Sequence, residues 1–518
     1  MNVEKFKLDH NTSYDSIAEG FFGYSIGDEV FHYKSNLPNI NELFENISNN
    51  CGVFCAIKKD NGVVNVFTDP LAQYPIFIYS EANKFCVSND FFETSSYTAG
   101  QLNKEAIFDC LSYYSPLMNQ TIINGCHTTK PFSFIQIDYN KEVPTLTQMQ
   151  IEIPATDMNY QELLDVLAQR AITRAGAILK NHKPVVHLTG GLDSRLALSA
   201  IIKASSNSDD YSVFCFGDGN SQDKLVFNHI CDKFNLVKGE IVLNGSNIKS
   251  IEHLRESSIS FSGLKFTNQT NYITHWTPSH SEVTGYFSEG LIKGFGNYYY
   301  NGAFNPFRYQ SSISSLPDFI FNSSAFRALS TMSEGRRFKN LTLENYLYLS
   351  NRSKCHFGMH SVVNNQSHHS FDIIYDPMLI SLFERCPYDS SSKQQGAIVV
   401  DLICKIFGEE LALLPLAGKS INKYRDDFEY LPSSNCFQQQ NFPVDVNDKV
   451  LGTRTTAMLT KTGNIYYGKY EELLRMVNLK AEYRDFLSTF LTYSEHTPAV
   501  EVSAIRSLVG YLSVLTEA

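Results

Sequence analysis

The chain is poor in several things that would announce a function. No stretch of about 18 apolar residues occurs in its 518 residues, which excludes a hydrophobic membrane-spanning helix. Met1-Asn-Val-Glu-Lys-Phe-Lys-Leu8 carries no apolar leader, so the cytoplasm is the expected location. There is no dense run of Lys or Arg, and 43 basic residues face 54 acidic ones, a net charge of −11. Non-specific nucleic-acid binding rests on phosphate neutralisation, so that class is not expected. The 11 cysteines are scattered, and Cys51-Gly-Val-Phe-Cys55 has no second pair to complete a zinc site. They read as buried thiols in a reducing compartment rather than a disulfide scaffold. There is no Walker loop, because Gly418-Lys419-Ser420 has Leu413 where the first glycine is required. There is one Trp, against 37 Phe and 29 Tyr.

What is present is a foldable chain. Hydrophobic residues make up 43%, which argues against disorder. The length allows two to four domains with cores that need no metal or disulfide. Residues 1–150 alternate short apolar segments with turn signals, as β-rich chains do. Asn61-Gly62 between two such segments predicts a tight hairpin. Residues 152–158 read as a linker. After it the period becomes helical, with an amphipathic stretch over 160–179. Strand and helix patterns then alternate: strands at 184–188, 211–216 and 239–243, and helices starting near Arg195 and Asp223. That order predicts a parallel sheet covered by helices. From about residue 310 onward the pattern is mostly helical with loops.

The informative stretch is Val185-Val-His-Leu188-Thr189-Gly190-Gly191-Leu192-Asp193-Ser194-Arg195. It reads as a strand, a glycine turn and a helix start. Backbone N–H groups at a helix start have no partner in the helix ladder, and the helix dipole favours an anion there. Adjacent glycines let the backbone approach phosphate oxygens closely. Thr189 and Ser194 supply hydroxyls, and Asp193 a carboxylate suited to Mg²⁺. A plain strand-to-helix turn is the other reading of the same residues.

The string Gly-Gly-Leu-Asp-Ser after such a strand resembles the pyrophosphate-binding loop of the ATP pyrophosphatase superfamily. Farther upstream, Gly52-Val-Phe, Asp69-Pro-Leu-Ala-Gln-Tyr-Pro-Ile-Phe-Ile-Tyr79 and Phe85-Cys-Val-Ser88 resemble the glutaminase-like domain of asparagine synthetases. Asn119-Gln-Thr-Ile-Ile-Asn-Gly125 and Lys130-Pro-Phe-Ser-Phe resemble the end of that domain. On these motifs the chain is identified as similar to the asparagine synthetase-like superfamily. The resemblance implies an α+β glutaminase-like (Ntn-hydrolase-like) sandwich over residues 1–153. An α/β parallel-sheet ATP-pyrophosphatase (HUP-like) synthetase domain over 159–518 would follow, with a helical C-terminal part.

The resemblance implies ATP and Mg²⁺ as ligands, with Leu188, Thr189, Gly190, Gly191, Leu192, Asp193, Ser194 and Arg195 at the phosphates. It places Phe216 near the adenine, and Gly294, Phe295 and Gly296 in a second glycine-rich loop. Asp193 and Asp223 are the candidate metal ligands, and Lys419 and Lys423 the candidate catalytic lysines. A helix N-cap or first-turn acid is the other reading of Asp223. Two departures matter. Position 2 is Asn2, not the nucleophilic Cys of a working glutaminase. Tyr298 stands where the family's second metal carboxylate belongs.

The expected activity is therefore an AMP-forming amide or lactam ligase that does not hydrolyse glutamine, as in β-lactam synthetases and lasso-peptide cyclases. It would join a small-molecule or peptide carboxylate to an amine, with a homodimer left open. A glutamine- or ammonia-dependent asparagine synthetase and a non-catalytic nucleotide-binding descendant are the alternatives. His356, His360, His368 and His369 cluster in sequence, without the Glu of a zincin arrangement.

Overall fold

A computed structural model describes residues 5–33, 37–113, 115–152, 156–215, 222–239, 281–293, 346–388, 393, 396–417, 479–485, 487 and 512. The N-terminal part is built on two antiparallel sheets. The larger comprises β2 (Gly20–Ile26), β3 (Val30–His32), β4 (Gly52–Asp60), β5 (Val63–Thr68), β9 (Ser133–Asp138) and β10 (Thr145–Gln150), in the order β10-β9-β5-β4-β2-β3. The smaller has β1 (Lys7–Asp9), β6 (Phe77–Glu81), β7 (Lys84–Ser88) and β8 (Cys126–Thr128), in the order β1-β7-β6-β8.

The period-2 rule explains how β4 is buried on both faces. Val53, Cys55 and Ile57 join the main core with Leu8, Ile78 and Val87 of the smaller sheet. Phe54 and Ala56 point the other way, into a cluster with Phe21, Leu43 and Phe67. The β4–β5 hairpin closes at Asn61 (φ 45°) and Gly62 (φ 81°). Two consecutive positive φ values match the right-handed twist of the flanking strands, which is why Asn-Gly stands there.

The Tyr160–Asn181 helix starts at a capping box between Asn159 and Glu162. It is followed by the parallel sheet: β11 (Val185–His187), β12 (Ser212–Phe214), β13 (Ser281–Thr284) and β14 (His369–Asp372), in the order β12-β11-β13-β14. All three pairings are parallel. A further parallel bridge joins Val213 to Lys238 at the outer edge, and residues 240–243 of the expected third strand lie outside the described residues. The helices Tyr160–Asn181, Leu192–Ala204 and Ala397–Ile406 pack against one another beside this sheet.

The N-terminal part meets the 346–376 segment through buried polar contacts. Gln73 donates to the Leu349 carbonyl and accepts from Ser353. Lys354 donates to Asn119, Thr128 and the Thr129 carbonyl. The Tyr375 hydroxyl donates to Asp69, which also accepts the amides of Gln73 and Tyr74. Burial pushes the Asp69 carboxyl up to about 6, against these hydrogen bonds.

The sign of the resulting pH effect follows by linkage. An unfolded Asp titrates near ~3.9, so between there and the folded value the native state keeps a proton the unfolded chain has released. The stability difference between wild type and Asp69→Asn should therefore shift against the wild type as pH rises from about 4 to about 6. Urea unfolding at the two pH values measures it. A pH-independent difference would contradict a protonated buried Asp69.

Cys51, Cys55, Cys86, Cys126, Cys215, Cys231, Cys355 and Cys386 are buried, and Cys404 is half-buried. No helix among the described residues is long and apolar enough to cross a membrane.

Candidate functional site

The strand-to-helix turn after β11 sits at the C-terminal end of an inner strand of the parallel sheet, where open α/β sheets place ligand crevices. Leu188 continues β11 by donating to the Phe214 carbonyl at 2.8 Å. The turn is held by its own hydroxyls. Ser194 Oγ lies 3.0 Å from both the Thr189 amide and Thr189 Oγ1, and Gly191 donates to Thr189 Oγ1 at 3.2 Å. Gly190 donates to Asp223 Oδ1 at 2.8 Å, and its carbonyl accepts the Ala417 amide at 3.2 Å. A Cβ at position 190 would lie 2.5 Å from Ala417 Cβ and 2.9 Å from Asp223 Oδ1. Glycine is therefore required by a close crossing of chains as well as by any phosphate.

The Leu192–Ala204 helix begins at Gly191, and no side chain caps it. Its 13 residues present uncapped first-turn N–H groups and a positive dipole end. The side chains of Leu188 and Leu192 are buried in the core, so at those positions only backbone faces the turn.

A second glycine turn docks on the first. Between β13 and the Phe287–Ile292 helix, Gly285 lies so near that a Cβ there would sit 2.3 Å from the Asp193 carbonyl oxygen. The approach brings Ser288 and Lys293 to Asp193: the Ser288 hydroxyl donates to Oδ1, and the Lys293 ammonium pairs with Oδ2. Under the loop lies a buried polar cluster. Glu282 accepts from Ser370 and His368, and His187 Nδ1 lies 2.8 Å from the Tyr286 hydroxyl and 4.0 Å from Glu282. Burial alone would raise the Glu282 carboxyl, yet its bond to His368 and the nearby imidazoles hold it below the usual carboxylate range. Burial also lowers His187, which is thereby biased to its neutral form.

One sequence expectation is corrected. Arg195 does not reach the phosphate side. It is fully buried, and its guanidinium donates to the carbonyls of Leu411, Leu414 and Pro415. A fork of N–H donors satisfies a chain reversal there, and burial lowers its pKa to about 9. The loop residues 189–194 and Asp223 do come together. Phe216, Gly294, Phe295, Gly296, Tyr298, Lys419, Lys423 and Asn2 lie outside the described residues. Of the histidines, His368 bonds Glu282 and His369 packs against His32 and His182; no group of three metal-ligating side chains occurs among the described residues.

Gly285, Ser288 and Lys293 escape the sequence reading. Ser281-Glu-Val-Thr284 has one apolar residue, so no hydrophobic period marks it as a strand, and the glycine-rich run from 294 draws the eye instead.

Asp193, the loop's candidate ligand, does not fit Mg²⁺. That ion binds proteins through one or two free carboxylates plus phosphate oxygens. Both Asp193 oxygens are engaged, one by an ammonium, and Asp223 Oδ1 caps Gly190. The uncapped helix start, by contrast, fits an oligophosphate. No family model matches the chain, and no curated protein resembles it at a significant level.

Proposed function

We propose that the chain is an ATP-dependent, AMP-forming amide ligase of the asparagine synthetase-like type that does not use glutamine. The observation that carries this reading is the Thr189–Ser194 turn, internally braced and ending on the uncapped N-terminus of the Leu192–Ala204 helix at an inner strand's C-terminal end. ATP is the substrate whose pyrophosphate half rests on those N–H groups. A substrate carboxylate oxygen attacks the α-phosphorus, the bond to the bridging oxygen breaks, and pyrophosphate leaves. An amine then attacks the acyl carbon, AMP departs, and the amine proton is lost. Positioning the amine against the adenylate supplies much of the rate, and water must be excluded. Protein-bound Mg²⁺ has no part in this reading.

The N-terminal sheets would act as a brace, through the polar contacts of Gln73, Lys354 and Tyr375. A second reading, nucleotide binding without turnover, is favoured by the Lys293 ammonium seated on Asp193. A screen of carboxylates and amines with ATP separates them. The ligase is expected to give AMP and pyrophosphate in equal amounts, with no glutamate released from glutamine. Formation of ADP and phosphate, or glutamate release, would contradict it. Absence of turnover with intact nucleotide binding would favour the second reading.

A further inference from the structure

We propose that Lys293 is a built-in cation of the nucleotide site, standing where a loop-bound metal would stand and making oligophosphate binding independent of Mg²⁺. This inference rests on the nucleotide-site reading above.

Four observations support it. Lys293 follows directly on the Phe287–Ile292 helix, and the Gly285 contact presses that turn onto the loop. Its side chain is 13% exposed, and Asp193 is its partner among the described residues. Gly396, at φ 100°, borders the lysine stem, which packs beside it: a Cβ there would stand in ordinary contact with Lys293 Cε, at 3.6 Å. Ser288 holds the other Asp193 oxygen, so the carboxylate is fixed rather than free to swing toward a metal.

The chemistry is consistent. An ammonium has three N–H donors and no acceptor, and Asp193 takes one. The others can bond phosphate oxygens while the positive helix end next to them supplies further attraction. Asp193 with Mg²⁺ would carry one net positive charge, whereas Asp193 with Lys293 carries none. The neutral pair places no excess charge in the fold when the nucleotide is absent, and it needs no metal to keep the loop carboxylate from repelling phosphate.

The test is a titration of the full chain with α,β-methylene ATP, in excess Mg²⁺ and in excess chelator, for wild type, Lys293→Met and Lys293→Arg. Wild-type affinity is expected to change by less than about threefold on chelation, while Lys293→Met loses about tenfold or more in chelator, the scale of a charged hydrogen bond. Lys293→Arg should retain most of the metal-independent affinity. Wild-type binding that collapses on chelation would overturn the inference while leaving the nucleotide site standing. So would Lys293→Met binding that matches wild type in chelator. Failure of wild type to bind in either condition would overturn the nucleotide-site reading itself, and this inference with it. The wild-type arm needs no variant to fold, and thermal unfolding of both variants checks that they do.

Discussion

Asp376→Ala is expected to lower folding stability by about 3–5 kcal/mol, the scale for stranding a buried charge. Asp376 is buried and accepts from Arg174 and, at 3.2 Å, from Arg170. Arg174 is itself buried on the Tyr160–Asn181 helix, and its other donors reach the carbonyls of Ile373 and Tyr375 and Cys51 Sγ at 2.9 Å. One guanidinium thus joins that helix, the turn after β14 and the start of β4. Without Asp376 it keeps its charge and loses its counter-ion. Cys51 cannot substitute, because burial pushes its thiol up to about 12 despite the arginine.

Burial alone would raise the Asp376 carboxyl, but the two arginines hold it below the usual range. Its contribution is therefore present above the unfolded Asp value near ~3.9 and is lost as pH falls through the lower folded value. Asp376→Asn, which keeps an acceptor, should cost less than the alanine. Urea unfolding of the three proteins at neutral pH measures this, and an alanine variant as stable as wild type would contradict it.

Gly285→Ala should cost about 1–3 kcal/mol by overpacking and weaken nucleotide binding by about tenfold or more. The added methyl would stand 2.3 Å from the Asp193 carbonyl oxygen and 3.1 Å from its carbon. Those are backbone atoms in the first turn of a helix, so neither can turn aside. The second glycine turn must lift away, taking Ser288 and Lys293 from Asp193. Gly176→Ala is the control. It lies within the Tyr160–Asn181 helix with nothing within 4 Å of its Cβ position, so it should leave binding unchanged and add ~0.5–1 kcal/mol of stability. Equal binding by the two variants would sink the claim that the two turns form one site.

Local features were legible where one residue type has one physical use. Asn61-Gly62 announced a hairpin because few residues accept two positive φ values in succession. Val185–Leu188 followed by Gly190-Gly191 announced a strand, a turn and a helix, and the helix starts at Leu192, directly after the glycine pair and three residues ahead of the expected Arg195. What stayed hidden depends on distant partners. Arg195 looks like any polar residue beside a phosphate loop, and its carbonyl partners lie more than 200 positions away. Lys293 is a hundred residues from Asp193, and no period or spacing connects them. Glu282 sits in a strand that reads as polar, because its burial is offset by His368 and Ser370 rather than by apolar neighbours. Burial of charge is decided by what arrives from elsewhere in the chain, and that is a tertiary fact.

The most direct test of the central claim is equilibrium binding of α,β-methylene ATP to the wild-type chain, with inorganic pyrophosphate as competitor. The Thr189–Ser194 turn is expected to give saturable nucleotide binding that pyrophosphate displaces. No binding by a protein that melts cooperatively, or binding that pyrophosphate leaves untouched, would contradict the assignment of this turn as a pyrophosphate cradle.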